Sequence, residues 1–104
     1  MIAEGRVLAA IEDYCGEGLI AFPEARETCE HLGVESAAAV RQAKAALRSI
    51  HEDGRLRIYE GTALDPSPEE ADGDRAEELL GSDGSFFYGP TGEEIRAYFA
   101  VACR

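Results

Sequence analysis

The side chains best suited to chemistry are five cations between residues 36 and 58. Arg41, Lys44 and Arg48 recur at helical spacing, and Arg55 and Arg57 follow at the spacing of one strand face. Only Glu52 and Asp53 oppose them, so this segment is net +3 and holds half of the ten Arg and Lys residues of the chain. A cationic helical stripe followed by cations on a strand suits phosphate contacts, with Ser36 and Gln42 as further polar groups for backbone or base edges. The first turn of that helix, Ala37-Ala38-Ala39, offers little for base reading, which leaves Arg41, Gln42 and Lys44 to carry it.

A second charged set has the opposite sign. Glu60, Asp65, Glu69, Glu70, Asp72, Asp74, Glu77 and Glu78 crowd one segment together with a single cation, Arg75. Residues 1–59 are net −3 and residues 60–104 are net −8, together the −11 of the whole chain. A carboxylate-rich segment repels nucleic acid and attracts a basic protein.

Catalytic constellations are missing. His31 and His51 each fall near a helix end, and Cys29 with His31 supplies too few ligands for zinc. Asp72, Asp74 and Glu78 lack the spacing of a calcium loop, Gly81, Gly84, Gly89 and Gly92 do not form a phosphate-binding run, and the carboxylate pairs follow from acidity alone. The expectation is a protein that is not an enzyme and uses no metal or cofactor. Three cysteines, Cys15, Cys29 and Cys103, stand at unrelated spacings beside apolar positions, which argues against a disulfide framework. No apolar run reaches spanning length, and the N-terminus lacks a signal-peptide layout, so a cytoplasmic protein without membrane contact is expected.

The elements that must position these groups are legible from periodicity and punctuation. Val7, Leu8, Ile11, Tyr14 and Cys15 predict a first helix stopped by Gly16. Leu19 to Phe22 predicts a short strand, and Pro23 then opens a helix that Gly33 closes. The next helix spans 36–52, with Ser36 as its cap, Val40, Ala43, Leu47 and Ile50 inward, and Asp53-Gly54 as its stop. Leu56 and Ile58 alternate as a strand. Residues 60–84 form an acidic insertion in which Ser67-Pro68-Glu69-Glu70 predicts the start of a short helix ending at Leu79-Leu80-Gly81. Phe86-Phe87-Tyr88 predicts a returning strand, and the capping box Thr91 to Glu94 predicts a closing helix with Ile95, Tyr98, Phe99 and Ala102 on one face.

With Leu32-Gly33-Val34, the helix after it and the Asp53-Gly54 turn in place, residues 2–59 and the closing segment resemble the winged helix-turn-helix superfamily of bacterial and phage regulators, in the manner of MarR-type and SOS-repressor-type domains. The resemblance implies a single α+β domain over residues 1–104, a three-helix core with a small β-wing and a C-terminal helix. It implies a small transcriptional regulator with helix 36–52 in the major groove of duplex DNA. Ser36, Arg41, Gln42, Lys44, Arg48, Arg55 and Arg57 would then contact DNA, and the closing helix would support a homodimer. The charge balance supports an alternative: an acidic protein-interaction module that resembles a phage-type inhibitor or DNA mimic, such as an anti-CRISPR, with Glu60, Asp65, Glu69, Glu70, Asp72, Asp74, Glu77 and Glu78 meeting a basic protein.

Overall fold

A computed structural model describes residues 4–64, 67–91 and 93–103. Among these the fold is α+β, with four α-helices and a four-stranded antiparallel sheet. The first helix, α1 (Glu4–Glu12), buries Val7 and Ile11, one turn apart on the inner face. A two-residue strand, β1 (Ile20–Ala21), runs directly into α2 (Phe22–His31). Pro23 stands in the first turn of α2, where its missing N–H costs nothing, and the Glu24 carboxylate accepts from the Ala21 N–H at 3.2 Å.

Gly33 turns the chain at φ +94°, a left-handed value that suits glycine, and the Val34 N–H returns to the Cys29 carbonyl at 3.1 Å. Helix α3 (Ser36–Glu52) has the predicted bounds, but its cap position belongs to Glu35, so Ser36 is the first helical residue and not the cap. It buries Ala39, Ala43, Ala46, Leu47 and Ile50. Gly54, at φ +75°, ends it and leads into β2 (Leu56–Gly61).

The acidic segment departs from expectation at its start. Glu69 and Glu70 form β3 (Glu69–Glu70), paired with Glu60 and Tyr59 of β2, where a helix was expected. Helix α4 (Gly73–Gly81) begins later, capped by the Asp72 carboxylate, which accepts from the Arg75 N–H at 3.1 Å. Asp72 outcompetes Ser67 because cap and first turn then place Ala76, Leu79 and Leu80 inward together.

The end of the chain is the larger correction. Phe86-Phe87-Tyr88 is not a returning strand: one 3₁₀ turn, Asp83–Phe86, buries Phe86 and leaves Phe87 and Tyr88 exposed. The predicted C-terminal helix is instead β4 (Arg96–Val101). The capping-box bonds do form, with the Thr91 N–H donating to Glu94 Oε1 at 3.1 Å, yet no helix follows. Ala97, Phe99 and Val101 alternate inward, and all six residues of β4 pair with β2, from Leu56 opposite Val101 to Gly61 opposite Arg96. That ladder, together with the strand preference of Tyr, Phe and Val, outweighs the local helical signal.

The sheet order is β1-β4-β2-β3. The helices cover the face carrying Leu56, Ile58, Ala97, Phe99 and Val101, and the Phe22 ring lies 5.1 Å from Phe86 and 5.8 Å from Phe99. Cys15 and Cys103 form a disulfide, with Cα atoms 4.9 Å apart across 88 residues, against the expectation of reduced thiols. The chain brings its two ends together, a relation that cysteine spacing does not encode.

Candidate interaction surfaces

The cationic stripe of α3 meets α4 and the turn that follows it. On α3, the Lys44 ammonium donates to the Gly81 carbonyl at 2.9 Å and pairs with Asp83. One turn on, Arg48 Nη1 stands 2.8 Å from Glu77 Oε2, and His51 Nδ1 stands 3.8 Å from the other oxygen of the same carboxylate. From α2, Arg26 Nε donates to the Phe86 carbonyl at 2.9 Å. The cations of α2 and α3 thus hold the segment 77–86 against the helical layer.

The remaining predicted DNA contacts divide. Arg55 pairs with Asp53 at 2.7 Å and with Glu12, and the hydrogen bonds it donates to these two carboxylates, Asp53 foremost, push its pKa further up. Arg57 is 71% exposed, 3.6 Å from Glu70. Arg41 is exposed and forms none of the ion pairs among the described residues. Ser36 is exposed at the start of α3, and Gln42 is half-buried with its Oε1 buried and without a hydrogen-bond partner.

The acidic set is also mostly engaged within the chain. Arg75 bridges Glu60 at 2.5 Å and Glu78 at 3.0 Å, while Glu70 faces Arg57 and Glu77 faces Arg48. Asp72 is the cap of α4. Glu69 and Asp74 remain exposed and outside these pairs, and Asp65 lies outside the described residues. Salt bridges this exposed contribute at most about 1 kcal/mol each. The apolar contacts decide how firmly the insertion sits. Leu79, Leu80 and Phe86 are 6%, 0% and 0% exposed, and each large side chain contributes about 1.5–3 kcal/mol on burial. Helix α4 and the turn after it are part of the core.

Between α1 and α3 lies a cleft that sequence reasoning missed. Its apolar end, about 290 Å³, is lined by Gly5, Leu8, Gln42, Ala45, Ala46 and Ser49. It adjoins, through Leu8 and Ser49, a polar hollow of about 320 Å³ bounded by Glu12, Glu52, Asp53 and Arg55. The cleft is open because its walls are small. A Cβ at Gly5 would meet no atom within 4 Å, so packing does not require glycine there. A helical glycine with room beside it was the one signal available in the sequence.

Cys29 is buried, and desolvation, with Glu30 nearby, pushes its thiol up to about 11, so it is a packing residue and a poor nucleophile. No cluster of three or more His, Cys, Asp or Glu suited to a metal occurs among the described residues, and none of their helices is long and apolar enough to cross a membrane. No family model, no curated protein and no solved structure matches the chain.

Proposed function

We propose that this chain is a winged-helix-type domain acting as an acidic protein-interaction module that binds a basic protein. The winged-helix part is supported by the order α1-β1-α2-α3-β2 and by the adjacency β1-β4-β2, with β3 and α4 inserted between β2 and β4. The functional part is carried by one observation. Lys44 and Arg48, the cations on which groove binding by α3 depends, already hold Asp83 and Glu77 of the segment 77–86, an acidic insertion and the turn after it anchored through Leu79, Leu80 and Phe86. Lifting that insertion from α3 exposes its apolar anchors, at a cost of several kcal/mol, about 1.5–3 for each large side chain. Phosphates would have to displace carboxylates that are covalently tethered in place. The rest of the surface, at an overall net charge of −11, attracts cationic partners and repels DNA.

A second reading keeps the domain as a transcriptional regulator. It is supported by Arg41 on α3 and Arg57 on β2, two exposed cations on adjoining elements.

The test uses fluorescein-labelled protamine as a basic probe, followed by anisotropy at about 50 and about 150 mM salt. Binding that persists at the higher salt and is unchanged in Arg41→Glu is the expected result. Protamine binding absent at both salts, with the protein shown to be folded, overturns the proposal.

A further inference from the structure

We infer that the cleft between α1 and α3 is where the basic partner docks, taking an apolar side chain at one end and an arginine or lysine at the other. This rests on the proposed binding of a basic protein and names the surface that performs it.

Two features converge on one occupant. The first end is apolar and shallow-walled: Gly5, Ala45, Ala46 and Ser49 leave about 290 Å³ over Leu8, room for an aliphatic or aromatic side chain. The second end is negative. Glu12, Glu52 and Asp53 surround Arg55, leaving a local charge of −2, and Glu52 is exposed on the last turn of α3. Apolar and carboxylate ends joined through Leu8 and Ser49 complement an extended basic segment with an apolar residue beside its cations.

Ion pairing does not separate the two acidic surfaces: Glu60, Glu70, Glu77 and Glu78 pair with Arg75, Arg57 and Arg48, as Glu12 and Asp53 pair with Arg55. The cleft is favoured because its carboxylates adjoin an apolar hollow.

Ala45→Leu fills the apolar end from an exposed helical position and keeps a strong helix former there. Glu52→Gln removes a carboxylate from the polar end, and the paired change Glu69→Gln with Asp74→Asn removes two from the insertion. Ala45→Leu and Glu52→Gln are each expected to weaken protamine binding about fivefold, with the insertion pair within about twofold of wild type. Amide-resolved NMR with the capped tripeptide Leu-Arg-Arg is expected to shift residues of the cleft. Gly-Arg-Arg and Leu-Gln-Gln each lose one end and are expected to shift them less. Protamine affinity equal to wild type in a folded Ala45→Leu protein, or peptide shifts confined to α4, overturns the cleft while leaving the basic-partner reading intact. Absence of protamine binding in the wild-type protein overturns both.

Discussion

Arg48 on α3 and Glu77 on α4 stand 2.8 Å apart, 29 residues away from each other in the chain. This pair and its neighbour, Lys44 with Asp83, tie α3 to α4 and the turn after it. A cation that already has a carboxylate has lost much of its attraction for phosphate. The same reasoning removes Glu77 and Asp83 from the groups available to a basic partner.

Stability should depend on the apolar half of this contact far more than on its charges. Leu80→Ala, at a site with 0% exposure, is expected to cost about 2–5 kcal/mol in urea unfolding. Arg48→Ala is expected to cost no more than about 1 kcal/mol, because both partners are roughly half exposed. Equal losses would mean that α4 is held by its ion pairs.

Thiol chemistry separates the three cysteines. With Cys15 and Cys103 bonded and Cys29 buried at a pKa of about 11, the native protein should show no thiol reactive toward a maleimide near neutral pH, and one after denaturation. Reducing the Cys15–Cys103 bond is expected to lower stability by about 2–4 kcal/mol, chiefly by freeing the unfolded chain. Two fast-reacting thiols in the untreated protein would contradict the bond.

The turn into β2 tests backbone conformation without steric crowding. Gly54 has φ +75° and nothing within 4 Å of where a Cβ would stand. Gly54→Ala is therefore expected to cost about 1–2 kcal/mol from the left-handed backbone alone. A neutral substitution, measured by thermal unfolding, would show that the turn relaxes to another conformation.

What the sequence reveals follows the range of the interactions involved. Helix α3 is legible to the residue because its boundaries are local: Gly33 and Gly54 take left-handed conformations on either side, and Ala43, Leu47 and Ile50 repeat inward between them. Strand β4 is misread because Ile95, Tyr98, Phe99 and Ala102 satisfy a helical period as readily as Ala97, Phe99 and Val101 satisfy a strand period. The deciding partner, β2, lies some 40 residues upstream, since Leu56 pairs with Val101 and Gly61 with Arg96. The engagement of Lys44 by Asp83 and the joining of Cys15 to Cys103 are likewise long-range, spanning 39 and 88 residues. The charged residues of the candidate surfaces are visible as types, and what the sequence hides is that Arg48 meets Glu77 and Arg57 meets Glu70. The α1–α3 cleft left only the faint mark of Gly5 in a helical pattern.

Lys44 and Arg48 of α3 are engaged by the chain's own Asp83 and Glu77, which would leave little of this face for DNA. The most direct measurement is a titration of the wild-type protein into a random-sequence duplex of about 20 base pairs at about 20 mM salt, where phosphate attraction is strongest. No binding in the micromolar range is expected. Micromolar affinity that falls steeply with added salt and is lost in Arg41→Glu would contradict it and return α3 to the major groove.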